Sequence, residues 1–175
     1  MCRDCGCSLG PAANRAPFAA QPATKGHIES IEVITAILDE NDRVAAHNRT
    51  HFDSHGVLAV NLMSSPGPGK TSLPEATIKA LQGELRIAVI EGDLATENDA
   101  ARIRACGVPA IQITTGNACH LDAQMVHDAL DDLPLDGLDV LFVENVGNLV
   151  CPASFDLGVH RNLTLLSVPE GDDKP

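Results

Sequence analysis

A run of small residues, Ser64-Ser65-Pro66-Gly67-Pro68-Gly69-Lys70-Thr71, follows directly on the apolar stretch Val57-Leu58-Ala59-Val60-Asn61-Leu62-Met63. An apolar stretch of that length reads as a buried strand, and a helical pattern follows Thr71. A strand that ends in Gly-Lys-Thr at the start of a helix has the layout of a phosphate-binding loop. The glycines let backbone N–H groups converge on phosphate oxygens, the lysine reaches the terminal phosphates, and the threonine hydroxyl can ligate Mg²⁺. Ser65, Gly67, Gly69, Lys70, Thr71 and Ser72 are therefore the candidate phosphate contacts. Two positions depart from the common pattern: Ser64 stands where the first glycine is usual, and Pro68 has no N–H to offer.

Other polar groups cluster after apolar runs further along the chain. Ile90-Glu91-Gly92-Asp93 ends one run and Phe142-Val143-Glu144-Asn145 ends another. Carboxylates at such positions can hold Mg²⁺ or its waters and orient a nucleophile beside a phosphate loop. Asp93 and Glu144 are the candidates, against the plainer readings of a helix N-cap and a strand-end charge. A third run leads into Thr114-Thr115-Gly116-Asn117-Ala118-Cys119-His120, and Cys151 follows the fourth. Cys119, His120 and Cys151 could share a rim as metal ligands, or serve as ordinary loop and core residues; spacing alone leaves this open. Cys106, beside Gly107, reads as structural.

Three more cysteines, Cys2, Cys5 and Cys7, crowd the first seven residues. Thiolates spaced Cys-x-x-Cys-x-Cys can converge on one soft or borderline ion such as Zn²⁺ or Ni²⁺, and Gly6 lets the backbone curl between them. From Gly10 to Gly26 the chain is rich in Ala and Pro and reads as a semi-extended tether. His47, His51 and His55 sit four apart, and solvated surface histidines are the preferred reading over a metal stripe.

These groups need elements to position them. Ile31, Ile34, Ile37, Leu38, Val44 and Ala45 recur at helical spacing, giving one amphipathic helix from Ile28 to about Arg49. Beyond it, strands over Val57–Met63, Arg86–Glu91, Ala110–Thr114, Val140–Glu144 and Leu163–Val168 alternate with helices over Thr71–Gln82, Asn98–Cys106 and Leu121–Leu130. That alternation predicts a mostly parallel sheet with covering helices, and ligands in such sheets bind beyond the carboxyl ends of the strands. The 175 residues suffice for one domain with a core. Twelve basic against twenty-four acidic residues give a formal net charge of −12, which disfavours nucleic acid and anionic membranes. No apolar run approaches the roughly 20 residues of a membrane span. The N-terminus lacks a secretory core, so the cytoplasm is expected.

The chain resembles the HypB-type hydrogenase nickel-incorporation GTPases over nearly its whole length. The resemblance rests on the N-terminal Cys-x-x-Cys-Gly-Cys, Asn41-Asp42 and Asn48-Arg49, the Ser64–Thr71 loop, and Glu91-Gly92-Asp93 with Thr96-Glu97-Asn98-Asp99-Ala100. It continues through Thr115-Gly116, Cys119-His120-Leu121 and the segment from Val143 to Pro152. It implies an α/β, three-layer P-loop NTPase fold of the SIMIBI G-domain type. Residues 1–27 would be a metal-binding motif and linker, and residues 28–175 a GTPase domain.

By position, the resemblance implies that Lys70 and Thr71 hold the phosphates of GTP and Mg²⁺. Asp93 and Glu144 would act around Mg²⁺ and the attacking water. Cys2, Cys5 and Cys7 would form a tight Ni²⁺ site. Cys119, His120 and Cys151 would form a second site for Zn²⁺ or Ni²⁺ at a nucleotide-dependent homodimer interface. The implied role is a cytoplasmic accessory protein that delivers Ni²⁺ to the [NiFe]-hydrogenase large-subunit precursor, with a small nickel metallochaperone as a further partner. The family continues into a strand with an Asn-Lys-x-Asp guanine-reading motif. Lysines 25, 70, 79 and 174 lie in no such motif, so the expectation is a G domain incomplete at its C-terminus, with an exposed sheet edge and reduced guanine selectivity. Two alternatives remain: a nickel-storage protein with a vestigial nucleotide site, and a urease-type nickel-insertion G protein, against which the cysteine motif argues.

Overall fold

The computed structural model describes residues 25–93 and 98–168; Cys2, Cys5, Cys7 and the tether up to residue 24 lie outside them, as does Thr96, whereas Lys25 and Gly26, read as the end of the tether, already belong to the first helix. In order the elements are α1 (Lys25–His55), β1 (Leu58–Met63), α2 (Ser72–Ala80), β2 (Ile87–Asp93), α3 (Asn98–Arg104), β3 (Ala110–Thr114), α4 (Ala123–Leu130), β4 (Val140–Glu144) and β5 (Arg161–Thr164), with a 3₁₀ turn at Pro152–Ser154. The strands form one parallel sheet in the order β3-β2-β4-β1-β5.

Alternation along the strands divides the core into two layers. Ala88, Ile90, Leu141 and Val143 face a cluster with Phe52 of α1 and Val126 of α4. Ile87, Val89 and Phe142 face the opposite side, against Ile78 of α2 and Ile103 of α3. Burial on both faces is why these strands read as continuous apolar runs rather than alternating ones. Among the described residues no helix is long and apolar enough to cross a membrane.

Several boundaries differ from the sequence reading, each for a local reason. Helix α1 runs past Arg49 to His55 and stops at Gly56, whose φ of 68° suits glycine. Helix α4 starts at Ala123 rather than Leu121, because Asp122 adopts an extended backbone and its carboxylate accepts the Met125 N–H at 2.8 Å. Pro74 lies in the first turn of α2, where its missing N–H costs nothing. Strand β5 starts two residues and ends four residues earlier than expected, on Arg161–Thr164, because its register is set by β1, Val60 pairing with Arg161 and Met63 with Thr164. Just before it, His160 Nδ1 accepts the Ala59 N–H at 3.0 Å. As an edge strand, β5 keeps all four residues exposed, so the apolar pattern used to place it carried no burial signal.

Helix α1 is bound to the rest through buried amides. Asn41 donates to the Asp156 carbonyl at 2.8 Å and accepts the Ala123 N–H at 2.9 Å. Asn48 donates to the carbonyls of Ala123 at 2.8 Å and Leu157 at 3.2 Å. The Arg49 guanidinium donates to the carbonyls of Gly158 and Val159. Gly158 is the tightest point of this contact: its φ is +81°, and a Cβ there would lie 2.2 Å from the Ala45 carbonyl oxygen. Gly158→Ala is expected to cost about 2–3 kcal/mol, from left-handed strain and the backbone clash together. Urea denaturation should show this as a lower midpoint, and an unchanged midpoint would mean that the contact is slack.

Candidate functional site

The C-terminal ends of β1, β4 and β2 open onto a cavity of about 390 Å³ lined by Gly67, Gly69, Lys70, Thr71, Glu91 and Glu144, together with Asp93, Asp99, Arg102 and Asn145. The loop from β1 can take its shape only with glycine at two positions, since Gly67 and Gly69 have φ of 98° and 99°. Pro68 sits between them, and helical bonding resumes at once, the Leu73 N–H reaching the Gly69 carbonyl at 3.1 Å. Ser64 is fully buried; its hydroxyl donates to the Ser65 carbonyl at 2.6 Å and accepts from Lys70 Nζ at 2.9 Å. Lys70 Nζ also donates to the Ser65 carbonyl at 3.2 Å. A serine in place of the usual glycine therefore holds the lysine ammonium at the loop.

Strand register brings two carboxyl groups together beside the loop. Glu91 of β2 is paired with Glu144 of β4, and they are only 2% and 5% exposed. Burial pushes the Glu91 carboxyl up to about 10, reinforced by the charge of Glu144. Burial also raises Glu144, opposed by hydrogen bonds from Glu91 and Thr71. The Thr71 hydroxyl donates to Glu144 Oε1 at 2.9 Å. Glu91 Oε1 and Glu144 Oε2 are buried without a hydrogen-bond partner. Unsatisfied buried oxygens beside a hydroxyl form the hard donor set that suits Mg²⁺. Of the carboxylates singled out from the sequence, Glu144 lies in the centre of the site and Asp93 on its wall; Glu91, named there only within a motif, faces Glu144 directly. Arg102 was missed. It crosses the mouth in ion pairs with Glu75 at 3.1 Å and Asp99 at 2.9 Å. The signal for Glu91 was available: two strands ending in Glu at equivalent register.

A group whose folded pKa is raised favours folding below its unfolded value and loses that contribution as pH climbs towards the folded value. For Glu91 that window runs from the ordinary carboxylate pKa of 4.5 to about 10. In metal-free, nucleotide-free buffer, Glu91→Gln should therefore raise the melting temperature at pH 8 more than at pH 5. Parallel pH profiles for the two proteins would show that Glu91 does not carry this proton.

The second group of candidates also comes together. The ligand atoms of Cys119, His120 and Cys151 all lie within 4.8 Å of one another. The two sulfur atoms are 2.9 Å apart, and Cys119 Sγ is 3.8 Å from His120 Nδ1. The shared contact holds the Cys119 thiol above its ordinary range and Cys151 below it. His120 is stacked on Phe155, with ring centres 4.0 Å apart. Two thiols and an imidazole are a soft-to-borderline donor set, which fits Zn²⁺ or Ni²⁺ better than Mg²⁺. Cys106 stands apart, with its thiol on the Arg102 carbonyl at 3.6 Å.

The two constellations share backbone. Asn145, fully buried next to Glu144, accepts the Leu121 N–H through Oδ1 at 3.0 Å. Its amide donates to Asn61 Oδ1 at 3.4 Å, and Asn61 donates to Asn162 at 3.0 Å, a polar ladder across β4, β1 and β5. Asn148 donates to the Cys119 carbonyl at 3.2 Å and bridges to Ser64 at the start of the phosphate loop. The Asp93 carbonyl accepts the Thr115 N–H at 2.9 Å. At Gly92 the packing is closed, since a Cβ would lie 2.8 Å from Leu121 side-chain carbons.

Comparison with known proteins identifies the family. Residues 58–165 match the CobW/HypB/UreG nucleotide-binding domain. The chain is similar to the hydrogenase maturation factor HypB of Escherichia coli K12, 57% identical over 145 residues, covering 83% of this chain and 50% of that protein. It is 51% identical to the HypB of Azotobacter chroococcum over 168 residues, covering 95% of this chain and 52% of that protein. The chain thus spans about half the length of these curated relatives. Among solved structures, the crystal structure of HypB from Helicobacter pylori in complex with nickel superimposes with a TM-score of 0.73 at 48% identity, covering 77% of this chain and 63% of that one. With a parallel sheet, a Gly-Lys-Thr loop and a family match over most of the described residues, this chain belongs to the CobW/HypB/UreG nucleotide-binding domain family, and to its HypB type.

Proposed function

We propose that this chain is a GTP-hydrolysing accessory protein that delivers nickel for the maturation of [NiFe]-hydrogenase. The observation that carries the reading is the shared backbone: Glu144 at the phosphate loop, Asn145, and Asn148 on the Cys119 carbonyl belong to one segment that ends at Cys151. Lys70 and the backbone N–H groups of the loop hold the phosphates. Thr71, Glu144, Asp93 and Glu91 supply the oxygens for Mg²⁺, and Asp93 or Glu144 orients the attacking water. Mg²⁺, when bound, neutralises charge on the phosphates. Charge in the loop then acts on Glu144, and through Asn145 and Asn148 on the segments that carry Cys119, His120 and Cys151.

Nickel is cargo in this scheme. It is taken up by Cys2, Cys5 and Cys7, and held with Zn²⁺ as competitor by Cys119, His120 and Cys151. A second copy of the chain completes the site in a nucleotide-dependent homodimer. The partners are a small nickel metallochaperone and the hydrogenase large-subunit precursor, all in the cytoplasm.

The test is competition between GTP, GDP and ATP in the presence of Mg²⁺, with Ni²⁺ affinity measured in each state. Mg²⁺-dependent GTP binding and a Ni²⁺ affinity that differs between GTP and GDP are expected. Nucleotide binding with the same Ni²⁺ affinity in every state would sink the coupling and leave a metal-binding protein with an idle nucleotide site.

A further inference from the structure

The outer face of α1 carries a row of imidazoles remote from both constellations. His47 and His51 have ring centres 5.7 Å apart, and His51 and His55 5.3 Å apart. From α4, His127 meets His47 edge-on at 5.1 Å. A second element faces the far end of the row: His55 Nε2 lies 3.6 Å from Asp136 Oδ1. His51, His55 and Asp136 all line one cavity of about 280 Å³.

The hydrogen bonds at His55 fix its chemistry. His55 Nδ1 lies 2.9 Å from the His51 carbonyl oxygen and 3.1 Å from the Ser54 hydroxyl, which itself donates to that carbonyl, so Nδ1 is placed to donate. Neutral His55 is then left with its lone pair on Nε2, the atom facing Asp136. A ring N–H held by a backbone carbonyl, with the other nitrogen turned outward, is the usual posture of a metal-ligating histidine. The spacing agrees. An ion bound by imidazole nitrogen and carboxylate oxygen at about 2.0–2.2 Å sets those atoms about 3–3.6 Å apart, and two imidazoles on one ion have ring centres about 5 Å apart. Helical neighbours four residues apart supply two of the ligands, and the Asp136 turn, tightened by Gly137 at φ 79° and the Leu138 N–H on the Leu135 carbonyl at 2.9 Å, supplies the third.

We propose that His51, His55 and Asp136 form a further metal site, which binds a borderline divalent cation such as Ni²⁺ or Zn²⁺ without thiolate. Two imidazoles and a carboxylate leave positions open to water, so the ion is exchangeable. The neighbouring imidazoles of His47 and His127 extend the same surface. The proposal stands independently of the nucleotide and thiolate readings.

The test uses the full chain with Zn²⁺ as probe, following its seven histidines by long-range proton–nitrogen NMR, and bound metal by equilibrium dialysis. Zn²⁺ should shift the Nε2 signals of His51 and His55. The variants His51→Gln and Asp136→Asn should each bind one fewer equivalent. In both, thiolate-to-Ni²⁺ charge-transfer absorption should be unchanged when Ni²⁺ replaces Zn²⁺. Both substitutions fall on exposed side chains and leave the core untouched. An unaltered stoichiometry in both variants would overturn the site, the His55–Asp136 contact then being a plain ion pair. Loss of the equivalent on His47→Gln with Asp136→Asn silent would overturn this ligand set.

Discussion

Lys70→Ala is expected to lower nucleotide hydrolysis by about 10²–10³-fold, the scale of losing one preorganised charge contact to a developing anion. The side chain is 9% exposed and its ammonium already points into the loop, held by Ser64 and Ser65. Little reorganisation is therefore needed when phosphate arrives. The lysine also pulls the pKa of both Glu91 and Glu144 down. Removing it leaves those buried carboxyls more firmly protonated, so Mg²⁺ affinity should fall along with phosphate affinity. Single-turnover hydrolysis and Mg²⁺ titration on the same variant would check both effects. The fold should survive, because Ser64 keeps its bond to the Ser65 carbonyl. A variant with undiminished hydrolysis would remove Lys70 from the site.

Cys151→Ala is the second large effect: at least a roughly hundredfold weaker affinity for Ni²⁺ at the Cys119–His120–Cys151 group. Perturbing a ligand's support alone costs about 10–100-fold, and losing the ligand costs at least as much. The half-buried Cys151 belongs to neither core layer, so the loss should appear as missing thiolate-to-metal absorption rather than as unfolding. Metal affinity should also fall as pH falls, because protons compete for thiolates. The raised Cys119 thiol gives up its proton later than Cys151. Intact metal affinity in Cys151→Ala, read by competition with a chromophoric chelator, would place the metal elsewhere.

Much of this molecule was legible in the chain. The strands β3 and β4 fall on the predicted residues, and β1 and β2 nearly so, because parallel strands buried on both faces announce themselves as unbroken apolar runs. The Gly-Lys-Thr loop was legible because its glycines answer a backbone demand that is local. The elements read less well were those decided by partners. The last turns of α1 carry no apolar stripe, and β5 is an exposed edge whose place is fixed by pairing with β1.

Within the site the same division holds. Residue type and spacing named Lys70, Thr71, Asp93, Glu144, Cys119, His120 and Cys151, each from chemistry that a short stretch of sequence displays. What sequence could not supply was which of these meet. The pairing of Glu91 with Glu144 follows from β2 lying beside β4 rather than β1. The 2.9 Å approach of Cys119 to Cys151, across 32 residues, is made by the loops that follow β3 and β4, two strands separated by β2 in the sheet. The histidine row gained its significance only when the Asp136 turn was brought against His55. The sequence by itself determined the strands other than β5, the phosphate loop and the kinds of ligand present, because those depend on backbone propensity and on chemistry carried by single residues. Only the tertiary structure decided strand order, and with it which carboxylates face each other and which thiols share a rim, because those depend on distances between segments far apart in the chain.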